Sequence, residues 1–168
     1  MERILAVREQ IPPLTVRNFA GETVSAWDFK QKRNRVIALV WGNSPETRRF
    51  VREIVAHAAD WKDRDAVAML VFPETPPPGL LGVLPTEVIA GVDATGSSSK
   101  RYLGEEVVGP SSVARQGVFV ADRYGELYAR WIIGKGGEFP TIPSIVKALD
   151  QIEIACEECH PTHWPLEG

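Results

Sequence analysis

The chain holds two cysteines, Cys156 and Cys159, and two of its three histidines, His160 and His163, follow directly behind them. A Cys-x-x-Cys spacing suits a dithiol/disulfide exchange pair. The same two thiolates with His160 or His163 supply three or four soft ligands within a short stretch, a set that suits zinc. Such a knuckle needs further ligands, from elsewhere in the chain or from a second copy across a dimer. The letters Cys-x-x-Cys-His also match covalent haem attachment, but that chemistry requires export, and residues 1–5 carry no apolar block ending in a cleavage site. Against all three stands a plain tail with two free thiols. The pair follows the negative end of the last predicted helix, among Glu153, Glu157 and Glu158. Both the helix dipole and those carboxylates raise a thiol pKa. A redox pair here is expected to be slow, or to turn over with a partner that supplies positive charge.

Oxygen and nitrogen chemistry is sparser. Ser44 stands before Pro45, Glu46 and Thr47, the order of a helix N-cap, a first-turn proline and a first-turn acid. Ser44 therefore reads first as a cap, and second as part of a small-anion pocket shared with Arg115. As a nucleophile it would need a base, and none of the three histidines has a spacing that points to it. His57 falls among Val55, Ala58 and Ala59 on the same predicted helix and reads as a boundary histidine holding one hydrogen bond. The basic runs 30–35 and 48–49 read as solvated faces.

The elements that must position these groups follow from hydrophobic patterning. Two unalternated apolar runs, 36–41 and 66–72, read as strands buried on both faces, with the helix opened by Ser44 between them. That strand–helix–strand unit is a right-handed crossover and sets the class as α/β. Segment 87–92 reads as a third strand ending at Asp93, and 97–103 as a short helix. Residues 117–121 and 126–131 flank a four-residue turn, Asp122-Arg123-Tyr124-Gly125, as an antiparallel hairpin. A last helix is expected from about 143 to 155, with Ile145, Val146, Leu149 and Ile152 on one stripe. A smaller hairpin, 14–19 with 21–24, opens the chain. The expectation is one domain over 1–155 with a mixed central sheet and helices on both faces, and a short tail over 156–168.

Composition narrows the function classes. The 168 residues carry 19 Lys plus Arg against 22 Asp plus Glu, a net charge of -3, which argues against a nucleic-acid binder. No apolar run approaches the ~20 residues a membrane helix needs. Two cysteines, both near the end, do not make a secreted disulfide scaffold. The expected setting is cytoplasmic.

The order of elements and several local motifs resemble the thioredoxin-fold redoxins, and more narrowly the peroxiredoxins of the alkyl hydroperoxide reductase and thiol-specific antioxidant family. The carrying residues are Ile11-Pro12-Pro13-Leu14-Thr15-Val16 with Gly21-Glu22-Thr23-Val24-Ser25-Ala26-Trp27-Asp28-Phe29, the strand and turn at 36–45, Asp93 with Tyr102-Leu103-Gly104, and Phe119-Val120-Ala121-Asp122-Arg123-Tyr124-Gly125-Glu126-Leu127. The resemblance spans roughly residues 10 to 150. It implies a thioredoxin-like, peroxiredoxin-type fold and thiol-based reduction of peroxides or disulfides, with a thiol reductant or disulfide partner and a homodimer as expected company and no resident cofactor beyond the zinc alternative. It also places the family's peroxide-reducing cysteine on Ser44, its threonine on Trp41 and its arginine on Gln116, beside Arg115. The thioredoxin Cys-x-x-Cys falls on Ser44 and Thr47. A serine hydroxyl stays protonated at neutral pH and does not pass through sulfenic acid. The resemblance thus implies a degenerate family site, with any redox activity moved to Cys156 and Cys159. The alternative is a non-catalytic scaffold that binds or dimerises through exposed aromatics such as Trp41 or Trp131.

Overall fold

The computed structural model describes residues 4–29, 32–40, 44–77, 79–93, 96–104, 115–134 and 138–159. Strands β1 (Thr15–Asn18) and β2 (Thr23–Ser25) form the opening hairpin, followed by a single 3-10 turn, Ala26–Phe29. Then come β3 (Asn34–Leu39), α1 (Pro45–Ala56), α2 (Ala58–Asp63), β4 (Ala66–Phe72), β5 (Val88–Val92) and α3 (Ser97–Leu103). The chain continues with β6 (Gln116–Ala121), β7 (Leu127–Ile133) and α4 (Ile142–Cys159). The strands make one seven-stranded sheet in the order β2-β1-β5-β4-β3-β6-β7. Strands β3, β4 and β5 are parallel, while β6 runs antiparallel to β3 and β7 to β6. This is the mixed α/β sheet expected from the sequence.

Every residue of β3 and β4 is buried, which is why neither strand alternates. The pleat sends Val36, Ala38, Ala68 and Leu70 to one face, where Phe50, Val51 and Ile54 of α1, Trp61 of α2 and Ile145, Leu149 and Ile152 of α4 close a core. Ile37, Leu39, Met69 and Val71 face the other side and meet Leu14, Tyr102, Leu103 and Phe119. The β6–β7 hairpin turns through Asp122, whose carboxylate accepts from the amides of Tyr124 and Glu126 at 2.9 Å each. Gly125 there has φ 91°, the left-handed region open to glycine.

Three expectations are corrected. The helix after Ser44 does not run unbroken through Ala58; it stops at Ala56 and restarts at Ala58. In a continuous helix the Ile54 carbonyl would accept from the amide four residues on. Here it accepts instead from Trp61 Nε1 at 2.9 Å, and the fully buried indole holds the break in place. The basic run is not a solvated face throughout, because Asn34 and Arg35 enter β3 and are buried. Arg35 donates from Nη2 to the Arg123 carbonyl at 3.0 Å. Burial lowers its pKa, and the nearby Tyr102 and Asp122 oppose that shift. The last helix runs one turn past the expected end and carries Cys156 and Cys159 in its final turn.

Candidate functional site

Ser44 takes up the conformation its neighbours prescribe. Its backbone is extended (φ -68°, ψ 156°), Pro45 follows at the first helical position, and the Ser44 Oγ accepts from the Thr47 amide at 3.2 Å. The hydroxyl proton goes to Thr47 Oγ1 at 3.0 Å, and buried Thr47 donates in turn to Gln116 Oε1 at 3.4 Å. Gln116 opens β6, which lies beside the end of β3 because Gly117 pairs with Leu39. The sheet register thus brings Gln116, distant in sequence, to Ser44 and Thr47 at the start of α1, and all three positions are singled out in the sequence. The Gln116 amide is not a base, so its place in this relay does not activate Ser44 for attack.

Arg115, next to Gln116, donates from Nη1 to the Leu103 carbonyl at the end of α3, at 3.3 Å. Asp93, part of the family resemblance, accepts from both the amide and the hydroxyl of Ser99 at 3.0 Å. It does the capping of α3 that Gly96, with no side chain, leaves undone. His57 holds the one hydrogen bond expected of it, Nδ1 to Asp60 Oδ2 at 2.8 Å, across the break between α1 and α2. Trp41 lies outside the described residues, and Trp131 is half-buried against the α4-side core rather than an exposed aromatic.

The cysteine pair belongs to the opposite end of the sheet. Arg64, after α2, reaches Asp150 on α4 with Nε to Oδ1 at 2.9 Å. Arg123, in the β6–β7 turn, lies 3.5 Å from Asp65 and 3.8 Å from Glu153. Asp65 precedes β4, and the β6–β7 turn lies beside the start of β3, so α4 reaches the N-terminal ends of these strands by Glu153. Ser44 follows the C-terminal end of β3, six residues or roughly 20 Å away along the strand. The helix turn bearing Cys156 and Cys159 lies beyond Glu153, on the far side from Ser44. The side chains of this zinc set, Cys156 and Cys159 with His160 and His163, lie outside the described residues. Among the described residues no group of three or more His, Cys, Asp or Glu side chains is arranged to hold a metal ion. No helix among them is long and apolar enough to cross a membrane.

Sequence reasoning missed the groove between α1 and the segment leading into α4. It encloses about 370 Å³ and is lined by Glu46, Phe50, Glu53, Glu138 and Phe139 among others. Phe50 and Phe139 stack there with centroids 4.4 Å apart. An isolated Phe139 in a glycine-rich stretch offers no periodicity by which to find it.

No protein-family model matches the sequence, and no curated protein matches it. Solved structures do match. The reduced 2-Cys peroxiredoxin of Plasmodium vivax superposes with a TM-score of 0.73 at 13% identity, over 90% of this chain and 83% of that one. The mitochondrial 2-Cys peroxiredoxin of Plasmodium falciparum gives 0.69 at 17%, over 91% and 96%. AhpC of Mycobacterium tuberculosis gives 0.68 at 14%, over 89% and 94%. At these identities the likeness is one of fold, and the chain has a peroxiredoxin-like thioredoxin fold.

Proposed function

We propose that this peroxiredoxin-fold chain is a thiol–disulfide oxidoreductase whose thiol chemistry resides in Cys156 and Cys159, the strand–helix turn at Ser44 having left catalysis. The observation that carries the reading is the state of the Ser44 hydroxyl. It caps α1 and donates to Thr47, so it is spent on the helix end. Where a thiol would gain from a helix N-terminus, an alcohol of high pKa remains neutral and offers no sulfur to oxidise. The 2-Cys peroxiredoxin and AhpC likeness favours thiol chemistry as the class, and the two cysteines are the chain's only sulfhydryls.

In the proposed reaction one thiolate of the pair attacks a sulfur of a partner disulfide and releases one partner thiolate. The second cysteine then attacks the mixed disulfide, closing a Cys156–Cys159 bond and releasing the other partner thiolate. Two electrons pass from the pair to the partner, and the sequence reverses with a dithiol partner. The test is disulfide-exchange and hydroperoxide turnover by wild type, Cys156→Ser, Cys159→Ser and Ser44→Ala. Exchange is expected to be lost in both cysteine variants and retained in Ser44→Ala. Exchange unaltered in both cysteine variants overturns the reading.

The second reading is a non-catalytic scaffold, dimeric or partner-binding, with zinc on Cys156, Cys159, His160 and His163. The spent Ser44 site favours it equally. A native mass that includes zinc, together with absent exchange, would establish it.

A further inference from the structure

Helix α4 is anchored unevenly. Leu149 and Ile152 are fully buried in the core, whereas Ile154, two residues on, is about half exposed. Among the described residues of α4, Glu153 makes the last ion pair, with Arg123. Beyond Ile152 no described side chain of α4 belongs to the core, yet the backbone stays helical to Cys159. Cysteines three apart on a helix have Cβ atoms roughly 5–6 Å apart. A disulfide needs about 3.5–4.5 Å. An ideal helical turn therefore has to open or distort for such a pair to close.

Resting on the reading above, we propose that the pair is a disulfide donor: closing Cys156 to Cys159 unwinds the last turn of α4 back to the Ile152 anchor, and passing the disulfide to a dithiol partner lets that turn re-form. In charging, one cysteine thiolate attacks a low-molecular-weight disulfide and releases one thiolate. The other cysteine closes the bond and releases the second. In discharging, a dithiol substrate attacks the closed pair, leaves oxidised to its own disulfide, and returns both cysteines to thiols. The helix stabilises only the reduced state, the condition that makes a dithiol pair an oxidant. The four amides of 156–159, bonded to carbonyls of 152–155 in the helix, lose those partners on closure.

The full chain is equilibrated with reduced and oxidised glutathione, and the closed form is counted by its loss of two mass units (two hydrogens). Hydrogen exchange is then followed in both forms. Amides 156–159 are expected to exchange at least about tenfold faster in the closed form, with protection at 149–152 unchanged. The double variant Glu157→Gly/Glu158→Gly weakens the turn in the reduced state, since each glycine disfavours a helix interior. It is expected to shift the glutathione equilibrium at least about tenfold toward the closed form, or ~30 mV more reducing. Closure with protection retained at 156–159, or a double variant no easier to close than wild type, overturns the donor proposal and leaves the exchange reading standing. No closed form at any glutathione ratio overturns both.

Discussion

Placing a sulfur at the α1 cap measures what that helix end does to a thiol. The substitution is Ser44→Cys, made with Cys156→Ser and Cys159→Ser so that only the introduced thiol reports. In the native structure the Ser44 oxygen accepts the Thr47 amide at 3.2 Å and stands before a twelve-residue helix. A thiolate there keeps that bond as a charge-assisted one and meets the positive end of the dipole, together worth about 1–2 kcal/mol. At 1.36 kcal/mol per pKa unit, this lowers an ordinary thiol from about 8.5 to about 7–7.8. At pH 7 the thiolate fraction rises from a few per cent to roughly 15–50%, and the alkylation rate, offset by the lower nucleophilicity of a more acidic thiolate, rises by about two- to fourfold. The native pair, at the negative end of α4 beside Glu153, Glu157 and Glu158, is expected to titrate at or above the ordinary value. The assay is iodoacetamide alkylation against pH, for the introduced thiol and for the wild-type pair. An introduced thiol that titrates no lower than the native pair refutes the reasoning about both helix ends.

Trp61→Phe keeps the ring but strands the Ile54 carbonyl, costing about 1–3 kcal/mol; a thermal midpoint lowered by less than ~2 °C would contradict it. Gly91→Ala drives a Cβ to 2.6 Å from Val16 and 2.9 Å from the Arg17 carbonyl, where β5 meets β1. That overpacking should cost about 1–3 kcal/mol in denaturant unfolding, and a neutral result would show that the β1 edge gives way freely. Burial holds the Tyr102 phenol above its ordinary value, while its hydroxyl donates to the Pro12 carbonyl at 2.8 Å. The unfolded chain then loses that proton first, so stability is fully present below about pH 10 and falls as pH rises beyond it. Tyr102→Phe should flatten that alkaline fall while lowering neutral stability by ~0.5–1.5 kcal/mol; an unchanged alkaline slope counts against the account.

Much of the fold was legible because its signals are local. Strand β4 spans the 66–72 segment read from its unbroken apolar run, and α3 spans 97–103. The Ser44-Pro45-Glu46 start of α1 needed only capping chemistry, and the β6–β7 turn needed only Asp122 and Gly125. The absence of an ionisable sulfur at position 44 is likewise a fact of the residue type, and no packing can reverse it.

What tertiary structure alone decided concerns groups whose partners come from elsewhere in the chain. Arg35 is in a basic run by sequence but buried in the fold, because β3 is an interior strand between β4 and β6. The break at His57 depends on an indole seven residues beyond the carbonyl it takes, and periodicity carries no such information. Helix α4 outruns its apolar stripe because its backbone stays helical past Ile152, the last core residue among the described side chains. From residues alone, Cys156 and Cys159 could have folded back onto Ser44. The direction of α4, held by Arg64 on Asp150 and Arg123 on Glu153, sets them at the other end of the sheet, since a helix end goes where its buried face and ion pairs hold it.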